Sequence, residues 1–182
     1  MEAVVPIENE RKLILRVDNP VLLLTTLKLQ PDVQVFDITQ GYINGSARIR
    51  HVVPHAPGDE KFIFTHKSKV LGSTVEIECD VSIHDFQKLF LIAKPVLHKT
   101  RAKWKDGLHT WDVDFFRVPK SGSTYLCMAE VEMPEFETQT PEPHSLLKPY
   151  AFKWIDAGDK RFNNKNLSNT TKVLKLLKGL GL

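Results

Sequence analysis

The sequence predicts an α+β protein dominated by antiparallel strands, and three observations carry that prediction. Apolar and polar residues alternate with period two in eight segments. Breakers such as Asn44-Gly45, Gly72-Ser73, Asp106-Gly107 and Ser121-Gly122 separate many of them, and connections this short favour antiparallel neighbours. Paired charges at i and i+2 recur along the polar phase, so each pair shares one face of its strand.

The strand-like segments cover residues 5–17, 34–43, 47–53, 61–69, 74–82, 96–105, 109–118 and 124–133. A helix is predicted over residues 21–29, where Asp18-Asn19-Pro20 supplies an N-cap and a helix-start proline. A second runs over residues 82–92, with Ile83, Phe86, Leu89 and Phe90 at helical spacing. A third runs over residues 169–180, where Val173, Leu174, Leu176 and Leu177 interleave with Lys172, Lys175 and Lys178 as the wet face of an amphipathic helix. Residues 135–149 contain Pro141, Pro143 and Pro149 and follow Pro134, so they read as an irregular surface connection.

With 182 residues, 42% hydrophobic and 26% charged, the chain reads as one domain over residues 1–182 with enough length to bury a core. No apolar run approaches the about 18 residues of a spanning helix, and no signal-peptide pattern opens the chain. The net charge of +3 does not call for nucleic acid or an anionic membrane. Cys79 and Cys127 cannot make a disulfide framework or a cysteine zinc site, which makes a reducing cytoplasmic setting the expectation. The seven histidines show no H-x-x-x-H spacing.

The charges sort by strand. Glu8, Glu10 and Lys12 share a face of the first, Arg48 and Arg50 of the third, and Lys67 and Lys69 of the fourth. Glu76 and Glu78 mark the fifth, Lys99, Arg101, Lys103 and Lys105 the sixth, Asp112 and Asp114 the seventh, Glu130 and Glu132 the eighth. The opposite phase is apolar, with Val75, Ile77 and Cys79, then Trp111, Val113 and Phe115, then Ala129, Val131 and Met133. Two readings stand at this point. One is a solvated outer face decorated with surface ion pairs. The other is a sheet closed into a barrel, charged face inward and helices covering the apolar outside. Neighbouring carboxylates repel unless a cation sits between them, and Arg and Lys pairs attract an anion, so a lumen of this kind suits a polyanion bound with divalent metal.

In order along the chain, Glu8-Asn9-Glu10-Arg11-Lys12, Gln40-Gly41-Tyr42-Ile43, Ala47-Arg48-Ile49-Arg50 and Thr65-His66-Lys67 are followed by five further elements. These are Val75-Glu76-Ile77-Glu78, Lys99-Thr100-Arg101, the strand Trp111 to Phe116, Ala129-Glu130-Val131-Glu132-Met133, and the segment from Asp159 to Leu167. This succession resembles the CYTH superfamily, the triphosphate tunnel metalloenzymes, over nearly the whole chain. The resemblance implies a closed eight-stranded antiparallel β-barrel, a C-terminal helical segment over about residues 159–182, and a lumen that binds triphosphate with Mg²⁺ or Mn²⁺. By the same resemblance, Glu8, Glu10, Glu130, Glu132 and Asp114 are candidate metal ligands. Lys12, Arg48, Arg50, Lys67, Lys99, Arg101 and Arg161 are candidate phosphate-binding groups. Lys67, with Lys12 second, is the candidate activator of the attacking water, and a metal-bound water positioned by Glu78 is the rival. Asp159, Arg161 and Asn164 either cap the tunnel and touch substrate or pin the final segment.

The expected activity is hydrolysis of inorganic triphosphate or an organic triphosphate. The alternatives are a class IV-like adenylate cyclase on the same barrel, a non-catalytic polyphosphate- or nucleotide-binding module, and an RNA 5′-triphosphatase. The expected partner is the small-molecule triphosphate, without membrane, and the chain is expected as a monomer or homodimer.

Overall fold

The computed structural model describes residues 9–70, 73–156 and 158–182. One antiparallel sheet organises the molecule. Its strands are β1 (Glu10–Leu15), β2 (Gln34–Tyr42), β3 (Ala47–Pro54), β4 (Lys61–Val70), β5 (Ser73–Asp80), β6 (Val96–Asp106), β7 (His109–Arg117), β8 (Thr124–Glu132) and β9 (Ala151–Ile155). Their spatial order is β5-β4-β3-β2-β6-β7-β8-β1-β9. The eight expected strands are present, the first as Glu10–Leu15 with residues 5–8 of its expected span outside the described residues, and the other seven within a few residues of their predicted ends.

The closed eight-stranded barrel is not what forms. Among the described residues the sheet curls but stays open, and it has nine strands. Closure would require the free edge of β1 to meet β5. That edge is taken by β9, which pairs Leu13 with Trp154 and Ile14 with Lys153. The alternation Phe152, Lys153, Trp154 is the sequence signal for β9 that a search for charged pairs passes over.

The helices are α1 (Pro20–Lys28), α2 (Ile83–Ile92), α3 (Asn164–Leu167) and α4 (Thr170–Gly179). Asn19, Ser82 and Asn169 cap α1, α2 and α4 by accepting backbone N–H bonds from Leu22, Asp85 and Lys172. No helix of the described residues is long and apolar enough to cross a membrane. Residues 134–147 form no helix or strand, as their prolines predict.

The helices do not all lie outside. On the convex face, Leu23 and Leu27 of α1 and Leu147 pack against Leu13, Trp104, Trp111, Val113, Phe115 and Val131. Trp104 and Trp111 are buried there, as their apolar phase predicts. Phe86 and Ala93, in and just after α2, cover Ile49 on β3, with Phe62 and Phe64 of β4 alongside. Gly41 permits this close approach. A Cβ at Gly41 would stand 2.6 Å from Ala93 Cβ and 3.2 Å from the Phe90 ring.

The C-terminal segment packs instead on the concave face. There the inward phase of four strands changes character along its length. Lys12 is followed by Ile14, Glu130 is preceded by Met128 and Leu126, Asp114 is followed by Phe116, and Lys99 is preceded by Leu97. These apolar residues form one cluster with Phe162, Leu167, Val173 and Leu177. Leu167 O accepts a bond from Tyr125 Oη at 2.7 Å. One end of the concave face is therefore charged and open, and the other is apolar and plugged. Lys172, Lys175 and Lys178 remain exposed on the wet side of α4.

Candidate functional site

The charged end of the concave face surrounds a cavity of about 480 Å³. Side chains from β1 through β8 reach it, because each strand presents its i, i+2 charges on the same side of the curl. Of the expected site residues, Glu10, Lys12, Arg48, Arg50, Lys67, Glu78, Lys99, Arg101, Glu130 and Glu132 all line it, and Glu76 joins them. Glu8 lies outside the described residues. Ile38 and Tyr42 are the apolar or aromatic side chains on its described lining.

Two ion-pair networks build the walls. In the first, on β1, β6, β7 and β8, Arg101 is the hub. It donates to Asp112 at 2.6 Å, to both oxygens of Asp114 at 2.7 Å, and to Glu130 Oε2 at 2.9 Å. Lys99 donates to Asp114 at 2.6 Å. Lys12 donates to Glu130 at 2.5 Å and lies 2.7 Å from Glu10. Register explains the meeting: Lys12 faces Glu130, Asp112 faces Glu130, and Arg101 faces Asp114 across neighbouring strands.

Burial opposes charge on all of these groups, and the partners decide the outcome. Burial would lower the Lys12 ammonium, but Glu130 and Glu10 raise it well above the usual lysine range. Lys12 therefore stays charged, which suits a phosphate grip and opposes a role as base. Burial would raise the Glu130 carboxyl, but Lys12 and Arg101 hold it well below the carboxylate range. At Lys99 burial wins, helped by Arg101, and the ammonium falls to about 8 despite Asp114.

The second network lies on β3, β4 and β5. Arg48 donates to Glu76 at 2.7 Å, Lys67 stands 2.8 Å from Glu76, and Arg50 is bonded to Glu78. Thr65 is fully buried between them, accepting from Arg50 at 3.0 Å and donating to Glu78 at 3.0 Å. Burial would raise Glu78, but Arg50 and the Thr65 hydroxyl lower it.

Two expected residues do not join the cavity lining. Asp114 is fully buried, with its oxygens on Lys99 and Arg101, so it positions those cations. Arg161 has its side chain 65% exposed and paired with Asp159 at 2.7 Å. Asn163, Asn164 and Lys165 of the same segment reach the cavity instead. Besides these, Gln40 and Tyr42 line it; none of the five carries a paired-charge signal, although Asn164 is a sequence candidate for capping the tunnel and Gln40 and Tyr42 fall in the Gln40-Gly41-Tyr42-Ile43 element.

Among the described residues, no three His, Cys, Asp or Glu groups converge as a preformed metal cluster. The donor chemistry nevertheless fits a hard divalent cation. Glu10 and Glu132 stand directly opposite each other on β1 and β8, next to the Lys12–Glu130 pair. Like charges so placed repel unless a cation lies between them, and carboxylate oxygens without His or Cys suit Mg²⁺ or Mn²⁺.

The chain is 30% identical over 138 residues to the inorganic triphosphatase of Acetivibrio thermocellus, covering 70% of this chain and 77% of that protein. No protein-family model matches. Among solved structures, the PH1012 protein of Pyrococcus horikoshii OT3 superposes with TM-score 0.43 at 14% identity, covering 71% of this chain and 80% of that one. A conserved hypothetical protein of Pyrococcus furiosus gives TM-score 0.42 at 12% identity, covering 96% and 91%. Likenesses this loose specify neither the details of the fold nor the chemistry.

Proposed function

The chain belongs to the CYTH superfamily of triphosphate tunnel enzymes, and on that premise we propose that it hydrolyses inorganic triphosphate with Mg²⁺ or Mn²⁺. The observation that carries this reading is the cavity itself. Arg48, Arg50, Lys67, Lys99 and Arg101 line the same space as Glu10, Glu130 and Glu132. Cations on one side would grip phosphate oxygens, Arg as a fork and Lys as a point charge. The scarcity of apolar lining favours a substrate without a base or sugar, since described surface for stacking is confined to Ile38 and Tyr42.

Glu10, Glu130 and Glu132, with Glu8, would hold the metal. When bound, it supplies neutralisation of charge on the phosphate oxygens. The chain's own residues do the rest by position. Arg101, fixed by three carboxylates, offers a rigid donor, and Lys12 stays protonated beside it. Lys67, in its neutral amine form, would receive the proton of the attacking water, with Glu78 as the rival for orienting that water. Free thiols at Cys79 and Cys127 suit a reducing compartment.

The test is product analysis on inorganic triphosphate and ATP, each with Mg²⁺ and with Mn²⁺. Orthophosphate from triphosphate is the expected result. Cyclic AMP with pyrophosphate from ATP would replace the reading with a cyclase, and tight binding without turnover would replace it with a binding module.

A further inference from the structure

We infer that Asn9 is a positioning residue for the proposed metal: it pins the end of β1 so that Glu10 stays opposite Glu132. This rests on the metal-dependent reading above and deepens it. Asn9 stands between Glu8 and Glu10 in sequence, out of phase with both, and it is not on the described lining of the cavity. Its amide reaches instead to the chain that leaves β8. Asn9 Nδ2 donates to Pro134 O at 2.7 Å and to Glu137 O at 2.8 Å, which uses both of its protons. Asn9 Oδ1 accepts from Arg11 at 3.1 Å, and the Asn9 backbone O accepts from the Met133 N–H at 2.9 Å. The turn that receives the amide is closed on itself, with the Glu137 N–H donating to Pro134 O at 3.0 Å. The Glu137 side chain also reaches His109 at 2.8 Å, one residue before Thr110, which faces Glu132 across β7 and β8. Asn9 and this turn therefore tie together the ends of β1, β8 and, through His109, β7.

The place of this clamp gives it a purpose. Glu10 and Glu132 form the last matched pair of the β1–β8 ladder. Strand ends fray, and two carboxylates facing each other push this end apart until a cation joins them. Lys12 balances charge 2.7 Å from Glu10, but it sits inside the ladder and does not hold its end. A hard divalent cation needs oxygen ligands at nearly fixed positions, and Mg²⁺ tolerates the least departure. Bonds from Asn9 to a closed turn hold the strand end in register before the metal arrives. They do so through the backbone, from outside the cavity, and so leave the carboxylate oxygens available to the metal.

Asn9→Ala removes the clamp and leaves every carboxylate in place. Titration with Mn²⁺ alone, read by the electron paramagnetic resonance of the free ion, should show Kd raised about tenfold, the low end for loss of a group that orients metal ligands. Asn9→Ser, whose hydroxyl can donate to one carbonyl, should lie between native and Asn9→Ala, and it decides the matter if Asn9→Ala does not fold. Calorimetric titration with inorganic triphosphate in EDTA should stay within about twofold of native in both variants, because Arg48, Arg50 and Arg101 lie on other strands. A residue that only kept the chain folded would lower the melting temperature and leave the Mn²⁺ Kd of the folded protein unchanged. That result, in a native chain that binds Mn²⁺, overturns the inference and leaves the metal-dependent reading standing. An equal rise in Kd for triphosphate overturns it too, since Asn9 would then support the whole cavity rather than the metal end. If the native chain does not bind Mn²⁺, the metal-dependent reading falls and the inference falls with it.

Discussion

The two halves of the charged cavity carry the same sequence pattern and differ in nearly everything else. On β6, β7 and β8 the charged framework at Lys99, Asp114 and Glu130 is buried, with side chains 3%, 0% and 10% exposed. These strands have apolar clusters on the convex side and, further along, on the concave side as well. On β4 and β5 the equivalent groups are wetter, with Lys67 at 30% and Glu78 at 44%. β5 ends the sheet, and Ile77 on its outer face is 60% exposed. Charges taken from water must be satisfied by one another, and those left near water can exchange partners. The buried half is thus a fixed framework, and the edge half is free to rearrange around an anion.

The largest test of that contrast is Arg101→Met. It leaves Asp112, Asp114 and Glu130 without their shared partner, and breaking a buried network of this kind costs about 3–5 kcal/mol. Urea denaturation should show that loss together with loss of turnover. A cost under about 1 kcal/mol would mean that the framework is no more constrained than a surface pair.

The pH dependence of stability sharpens the same contrast. Glu130 is held low in the native state, so the unfolded chain takes up its proton first. Stability should therefore fall as pH drops below the ordinary glutamate value of 4.5. Lys99 runs the other way. Its native pKa of about 8 lies below its ordinary 10.5, so between those values the unfolded chain holds the proton that the native chain has released. Stability from this group should rise with pH across that window. Denaturation of Lys99→Met at pH 8 and pH 10 should lose the rise, and a rise of the same size in the variant would remove Lys99 as its source.

The smallest effect is expected at the edge. Glu78→Gln should change stability by about 1 kcal/mol or less, since its carboxylate is partly solvated. Lys67→Ala should be similarly mild on folding yet lower kcat by roughly tenfold or more and remove the limb of the pH–rate profile on which rate rises with pH, since a proton acceptor works only when deprotonated. An unaltered profile would eliminate Lys67 as the proton acceptor.

Eight strands were legible because period-two alternation is local: a residue's side of a strand depends only on its neighbours in sequence. The helix starts were legible for the same reason, since Asn19, Ser82 and Asn169 cap their own next residues. The charged lining was also legible, as Arg48, Arg50, Lys99 and Arg101 share phase on their strands. What lay beyond local pattern depended on contacts far apart in the chain. Whether the sheet closes is decided by β9 reaching β1 across more than a hundred residues, and such a pairing leaves no periodic mark on β1. Which end of the concave face is open is decided by Phe162, Leu167, Val173 and Leu177 docking on apolar residues from four other strands. Partnership within the cavity belongs there too. Sequence identifies Asp114 as one more inward carboxylate, and only packing decides that it serves Lys99 and Arg101 beneath the cavity surface. Periodicity assigns a side chain to a face, but desolvation and distance, which exist only in the folded molecule, decide what it does there.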